Sequence, residues 1–251
     1  MDETETEGSA SPESKKLEAV GKWRAQRTDL IAQGKGSVSL VGGVSLILHF
    51  IPRDSLERRP LLGPWKVSQK QQMHFLANER ALTARHNRDG FLAQYAIGSE
   101  KSAYRYTQVF RCGILEYGIG NFFRPIVPNN PPLIIGQYLE QEMVASCENA
   151  MGWFQSSGQT QRVYVGFSLV GIAGKAFFST RSRTAFSALS VGPECDIFSS
   201  PETLADPSSP GSPTFDTFLL PLVDVMWQVA GYDESPFRVN GEWQPFNQNF
   251  F

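Results

Sequence analysis

Cys112 follows Arg111 in a chain with only three cysteines and three histidines, and those few residues bound any nucleophilic chemistry. A thiol attacks as its thiolate, so it needs a neighbouring cation or a base within reach. Arg111 supplies a cation, and the bases on offer are His49, His74 and His86. None of them stands in a catalytic motif. His49 lies inside the apolar run 44–51 and reads as a hydrogen-bonded core histidine. Gly171-Ile172-Ala173-Gly174-Lys175 invites comparison with a phosphate loop, but that loop needs glycine five places before its Gly-Lys, where this chain has Leu169. Ala176 stands where Ser or Thr would hold magnesium. His86-Asn87-Arg88-Asp89 has the outline of a kinase catalytic loop without the glycine-rich loop or Asp-Phe-Gly that must accompany it. Glu140 and Glu142 fall on different sides of a helical pattern. No Cys or His cluster has ligand spacing, so the sequence predicts no metal, no cofactor and no catalytic residue.

Binding chemistry is better represented. Residues 102–117 interleave arginine and tyrosine around a Cys112-Gly113 turn and predict a β-hairpin. Alternation along its first strand groups Tyr104, Tyr106 and Gln108 on one face, with Arg105, Thr107 and Val109 on the other. Tyrosine that stacks on bases, beside arginine that meets phosphate, is how sheets hold single-stranded nucleic acid. The candidate nucleic-acid contacts are therefore Arg88, Tyr104, Arg105, Tyr106 and Arg111. The plainer reading makes the tyrosines core and the arginines a solubilising face. Charge is unevenly spread: residues 14–125 carry eighteen Lys and Arg against eight Asp and Glu, while 126–251 carry five against twelve. Such a partition suits contact with nucleic acid, with an acidic protein surface, or between two faces of one fold.

The elements that must position these residues follow from periodicity and punctuation. Residues 1–13 hold five acids and little apolar content and predict a disordered tail, followed by one α+β domain over 14–251. Leu17, Val20, Trp23, Arg27, Leu30 and Ile31 recur at helical spacing from Ser14, with a stop at Gly34 or Gly36. Residues 44–51 read as a buried strand ended by Pro52, 53–70 as a loop, 73–85 as a short helix, and 91–95 as a second strand after an Asp89-Gly90 turn. A helix is predicted over 133–153, its apolar stripe running from Ile134 through Tyr138, Leu139, Met143 and Cys147 to Met151, with Gln137 and Glu140 outside. A strand follows at 163–170, then a Pro- and Ser-rich surface loop at 192–213 and a last helix at 222–230. Trp227 and Trp243 are expected to clamp the C-terminal segment onto the sheet. Single strands and a hairpin among scattered helices predict an α+β fold with a mixed, mainly antiparallel sheet.

Compartment and class come from what is missing. The longest apolar runs fall well short of the roughly 18 residues of a membrane span. Three widely separated cysteines without a Cys-x-x-Cys fit free thiols in a reducing cytoplasm.

Several segments, in order, resemble the region that follows the Schlafen AlbA-type (AlbA_2) domain in bacterial regulators. They are the helix from Trp23 to Gly34, Leu46-Ile-Leu-His-Phe-Ile-Pro52, Asp89-Gly-Phe91, Tyr106-Thr-Gln-Val-Phe-Arg-Cys-Gly-Ile-Leu-Glu116, Phe167-Ser-Leu-Val-Gly-Ile-Ala-Gly174, Trp227-Gln-Val-Ala-Gly231 and Gly241-Glu-Trp243. The similarity spans residues 20–245 and lies in the order of the pieces. Where the family has a Phe-Arg-Asn-Gly turn, this chain has Phe110-Arg111-Cys112-Gly113. The AlbA-type domain itself, to which nucleic-acid binding is attributed, is absent, so no nuclease or helix-turn-helix role carries over. The resemblance implies a cytoplasmic accessory domain, and the lack of a catalytic constellation in the sequence makes it a non-catalytic module expected to work with a protein partner. Direct binding of nucleic acid through the basic half, and a ligand sensor or enzyme with a pocket near Cys112 and His86, are the alternatives.

Overall fold

Ser11 opens the first helix, its hydroxyl accepting the Ser14 N–H at 3.2 Å, with Pro12 at the first helical position and Glu13 in the first turn. The computed structural model describes residues 11–57, 82–96, 102–121, 123–124, 133–159, 161–179, 195–207 and 215–244. Helix α1 spans Pro12–Ala32 and stops before Gly34, whose φ of 69° is the left-handed conformation that glycine adopts without strain. Two residues of the predicted tail, Pro12 and Glu13, thus belong to the helix, and residues 1–10 lie outside the described residues.

The strands follow in chain order: β1 Ser39–Leu40, β2 Ser45–Pro52, β3 Leu82–Asn87, β4 Gly90–Tyr95, β5 Ser102–Ala103, β6 Arg105–Phe110, β7 Leu115–Ile119, β8 Phe123–Arg124 and β9 Leu133–Ile135. Helix α2, Gly136–Ser156, comes next, then β10 Val163–Val170, β11 Phe177–Phe178, β12 Ile197–Ser199 and β13 Thr203–Ala205. Helices α3, Phe215–Phe218, and α4, Leu220–Val229, precede the closing hairpin of β14, Arg238–Val239, and β15, Glu242–Trp243. Among the described residues an eight-stranded sheet runs β12-β10-β2-β7-β6-β4-β3, with β13 also on β10, and every pairing in it is antiparallel. Two short pairs, β1 with β5 and β9 with β11, are parallel. The fold is α+β with a mainly antiparallel sheet packed by helices. No helix among the described residues is long and apolar enough to cross a membrane.

Every residue of β2 is buried, because the sheet is covered on both faces. Leu46, Leu48 and Phe50 join Leu115 and Tyr117 of β7 under α2 and α4, with Leu139, Met143, Cys147, Val223 and Trp227 in the same core. Ile51, of opposite parity, meets Val20 of α1 together with Ile114 and Tyr164. Two glycines let large side chains lie flat on the strands. A Cβ at Gly118 would stand 2.0 Å from the Tyr106 ring, and one at Gly166 would stand 2.4 Å from the Arg24 guanidinium. Trp227 and Trp243 are both buried, as expected.

Four local expectations need correction. Residues 82–85, read as the end of a helix, form most of β3, and 73–81 lie outside the described residues. Residues 133–135 continue the apolar pattern of α2 but are a strand, because Ile134 pairs with Phe177 and Phe123. Within the Pro- and Ser-rich stretch 192–213, residues 197–199 and 203–205 are strands on β10. Helix α2 is also turned relative to the predicted face: Gln137 and Glu140 are buried, whereas Tyr138 is exposed.

Candidate binding cleft and buried acid clusters

Beneath α1 the sheet buries a carboxylate with no solvent exposure. Glu116 of β7 accepts Arg27 Nε at 2.9 Å and Arg27 Nη2 at 2.7 Å, His49 Nε2 at 3.1 Å, and the Tyr106 hydroxyl at 3.0 Å. Helical spacing brings Trp23 and Arg27 of α1 over β2 and β7. The Trp23 ring meets His49 edge-on at 5.3 Å, and Arg27 lies 5.0 Å from the Phe110 ring. Burial pushes the Glu116 carboxyl up, but the hydrogen bonds of His49 and Arg27, with the Arg27 charge, overcome it and hold it at about 2. Burial pushes His49 the other way, below the usual imidazole range, against the pull of Glu116. Its Nδ1 finds no hydrogen-bond partner, which suits the lone pair of a neutral ring rather than an N–H. The cluster therefore carries one cation, half-buried on Arg27, and one anion, fully buried on Glu116. Next to it Arg24, 3% exposed, donates to the Ser200 and Phe167 carbonyls and to Glu202, tying α1 to the β12 side of the sheet.

On the opposite face, α2 buries a second carboxylate in different company. Glu140 accepts Trp227 Nε1 at 2.5 Å, Trp243 Nε1 at 2.6 Å and Ser235 Oγ at 2.8 Å. No cation faces it in these bonds. Burial raises its carboxyl to about 7 against the three donors, and the Asp224 charge adds to the rise. A carboxyl poised near neutrality is what acid–base catalysis needs. Glu140 does not meet the other requirement, access: it is fully buried and each donor belongs to a packed element.

The open concavity lies at the far end of α2's first turns. A cleft of about 370 Å³ is lined by Tyr95, Tyr104 and Tyr138 together with Ile119, Gly120 and Ile135. Asn121, Gln141, Arg105 and Glu142 are the polar and charged residues of its lining. Arg105 and Glu142 form a two-pronged ion pair, Nη1 to Oε2 at 2.9 Å and Nη2 to Oε1, so the cation of the cleft is matched by its anion. Tyr95 and Tyr104 stand 6.2 Å apart, centroid to centroid, at a tilt of 51°. Asn121 holds a φ of 64°, turning the chain out of β7 along the rim.

The candidate nucleic-acid residues separate in space. Tyr106 is fully buried with its hydroxyl on Glu116, so it presents no face to a base. Tyr104 and Arg105 line the cleft at one end of the sheet. Arg88 and Arg111 occupy neighbouring turns at the other end, Arg111 Nε donating to the Arg88 carbonyl at 3.1 Å. Six-residue strands at about 3.3 Å per residue keep the two ends well apart. The pocket expected near Cys112 and His86 finds no support. Cys112 packs beside Ile51, Ile114 and Tyr164, burial raises its thiol rather than activating it, and Arg111 is engaged elsewhere. His86 packs edge-on against Phe91 at 5.0 Å. Among the described residues no three His, Cys, Asp or Glu side chains gather as a metal site.

Sequence reasoning missed Glu116 and Glu140 as the centres of interior networks and missed the cleft altogether. One signal was present. An acid inside the strand pattern Ile114-Leu115-Glu116-Tyr117 had to find a buried cation, and Arg27 on the apolar stripe of α1 had to find a buried anion. No family model, curated protein or solved structure matches this chain.

Proposed function

We propose that this chain is a non-catalytic accessory module that works by binding a protein partner through the cleft beside α2, within a regulatory system linked to nucleic acid. The observation that carries the reading is the division of polar groups: the two strongly perturbed acids, Glu116 and Glu140, are sealed in the interior, whereas the open cleft is lined by tyrosines, amide-bearing residues and the Arg105–Glu142 ion pair. Tyrosine combines a large apolar face with a polar tip and dominates interfaces that are wetted when unbound. The resemblance to the region following AlbA-type domains supports the regulatory setting.

A photo-crosslinking residue at position 138, with matched controls at positions 22 and 88, tests this in the native host. The expected result is one discrete protein adduct at 138 that is absent from both controls and lost when Tyr104→Ala is added. Equal adducts at all three positions, or none at 138, would contradict the proposal. A second reading rests on the paired arginines Arg88 and Arg111: a nucleic-acid strand crossing that end of the sheet would give nuclease-sensitive adducts at 88, and affinity falling steeply with salt.

A further inference from the structure

Helix α1 is held to the sheet by a different chemistry from the rest of the fold. Of its 21 residues only Val20, Arg24, Thr28 and Ile31 are buried, and two of those four are polar or charged. Among the described residues, the large core under α2 and α4 takes no side chain from α1. Val20 and Trp23 join a small satellite cluster with Ile51, Ile114 and Tyr164. The remaining attachment is charge and hydrogen bonding along the length of the helix. Glu13 pairs with Arg53 and accepts the Tyr164 hydroxyl at 2.6 Å, and Lys16 stands 2.8 Å from Asp54 and 3.3 Å from Glu57. Arg24 reaches Glu202 at 2.6 Å, Arg27 takes Glu116 in two bonds, and Thr28 Oγ1 donates to Ser168 Oγ at 3.2 Å.

Such an attachment separates more readily than an apolar one. Exposed pairs such as Glu13 with Arg53 contribute little. Taking a pair out of water strips hydration from both partners, and that loss offsets much of their attraction. Lifting the helix returns both partners of each pair to water together, unlike a substitution, which strands one of them. The core under α2 and α4 keeps all its side chains when α1 leaves. The chain exits the helix through Gly34, Lys35 and Gly36, and Gly34 holds a φ of 69° with open space where a Cβ would stand, so the segment can turn freely.

We infer that α1 is a detachable strap, which leaves the sheet as one unit on the 34–36 segment while the sheet and the core under α2 and α4 stay folded. Segments with few buried apolar contacts open in this way, as cooperative units below the global unfolding free energy. The face it uncovers carries Glu116 and Glu202, two carboxylates already arranged to take guanidinium groups. The inference concerns this face alone and does not depend on what the cleft binds.

Native-state hydrogen exchange of the full chain, followed by ¹⁵N NMR, tests it. Amides of residues 20–31 should share one opening free energy and exchange at least roughly tenfold faster than those of β2 and β10. A double variant, Thr28→Cys with Ser168→Cys, puts two sulfurs where hydroxyl oxygens now stand 3.2 Å apart, within reach of a disulfide, and Cys195→Ser removes the exposed thiol. Oxidised, this variant should slow residues 20–31 to the rates of β2, and reduction should restore the difference. Wild-type α1 exchanging at the rates of β2 and β10 would mean that it opens only with the whole fold, and overturns the inference. So does protection that rises steadily from Ser14 inward, the mark of end fraying, or exchange that ignores the disulfide. The wild-type pattern, uniform or graded, decides the matter if the double variant fails to fold.

Discussion

Glu116 and Glu140 are the same residue type, equally buried, on opposite faces of one sheet, and their carboxyls are shifted in opposite directions. Glu116 meets a guanidinium and is held at about 2, while Glu140 meets only neutral donors and rises to about 7. Burial penalises both carboxylates. What separates them is Arg27, a full charge held in line by α1, against two indoles and a hydroxyl that offer hydrogen bonds alone. A perturbed acid in this fold thus reports its neighbours rather than a catalytic duty, because neither site opens to a substrate.

Removing a neighbour should break the comparison most severely at Trp227. Trp227→Ala vacates a fully buried indole and takes one donor from Glu140, and is expected to cost about 3–5 kcal/mol in denaturant melts. A variant that melts like the parent would contradict the clamp. On the other face, Glu116→Gln leaves the half-buried Arg27 without its anion. The depression of Glu116 to about 2 corresponds to about 3 kcal/mol at neutral pH, and that is the expected loss. Gly118→Ala probes the same cluster from beneath, because the new methyl would push the Tyr106 ring off its strand. Overpacking of this kind costs about 1–3 kcal/mol, and loss of the Tyr106 contact should raise the apparent pKa of Glu116. The smallest effect is expected far from both acids: Arg88→Ala and Arg111→Ala should each change stability by less than about 0.5 kcal/mol. A larger loss would mean that the turns at that end carry structure.

The framework was largely legible in the sequence and the site was not, for a physical reason. An apolar run closed by Pro52 can hardly be anything but a buried strand, and α1 announces itself through its spacing and its N-cap. The alternation in β6 correctly separated Tyr106 from Arg105, but periodicity cannot say that both faces are covered, so Tyr106 reads equally as a base-stacking surface residue or as core. Helix α2 starts after Ile135 with no side-chain cap, so nothing local divides it from β9. Glu140 reads as solvated because its partners, Trp227, Ser235 and Trp243, arrive from about ninety residues downstream. The cleft likewise unites Tyr95, Tyr104 and Tyr138 from two strand ends and a helix, a meeting that only the tertiary fold creates.

The two acids also predict opposite dependences of stability on pH. Glu116 is depressed, so its contribution is present above the unfolded value near 4.5 and is lost as pH falls toward about 2. Glu140 is raised, so between about 4.5 and about 7 the unfolded chain ionises while the native site keeps its proton, and stability falls as pH rises through that window. The claim that a neighbouring charge, and not a difference in burial, separates these acids is tested most directly by ¹³C carboxyl NMR of the native protein across this range. The account predicts a Glu116 signal that stays ionised down to about pH 2 and a Glu140 signal that titrates near pH 7. In Arg27→Met the Glu116 signal should move upward toward that of Glu140. Titration of both carboxyls together in the native protein, or a Glu116 signal indifferent to the loss of Arg27, would contradict it.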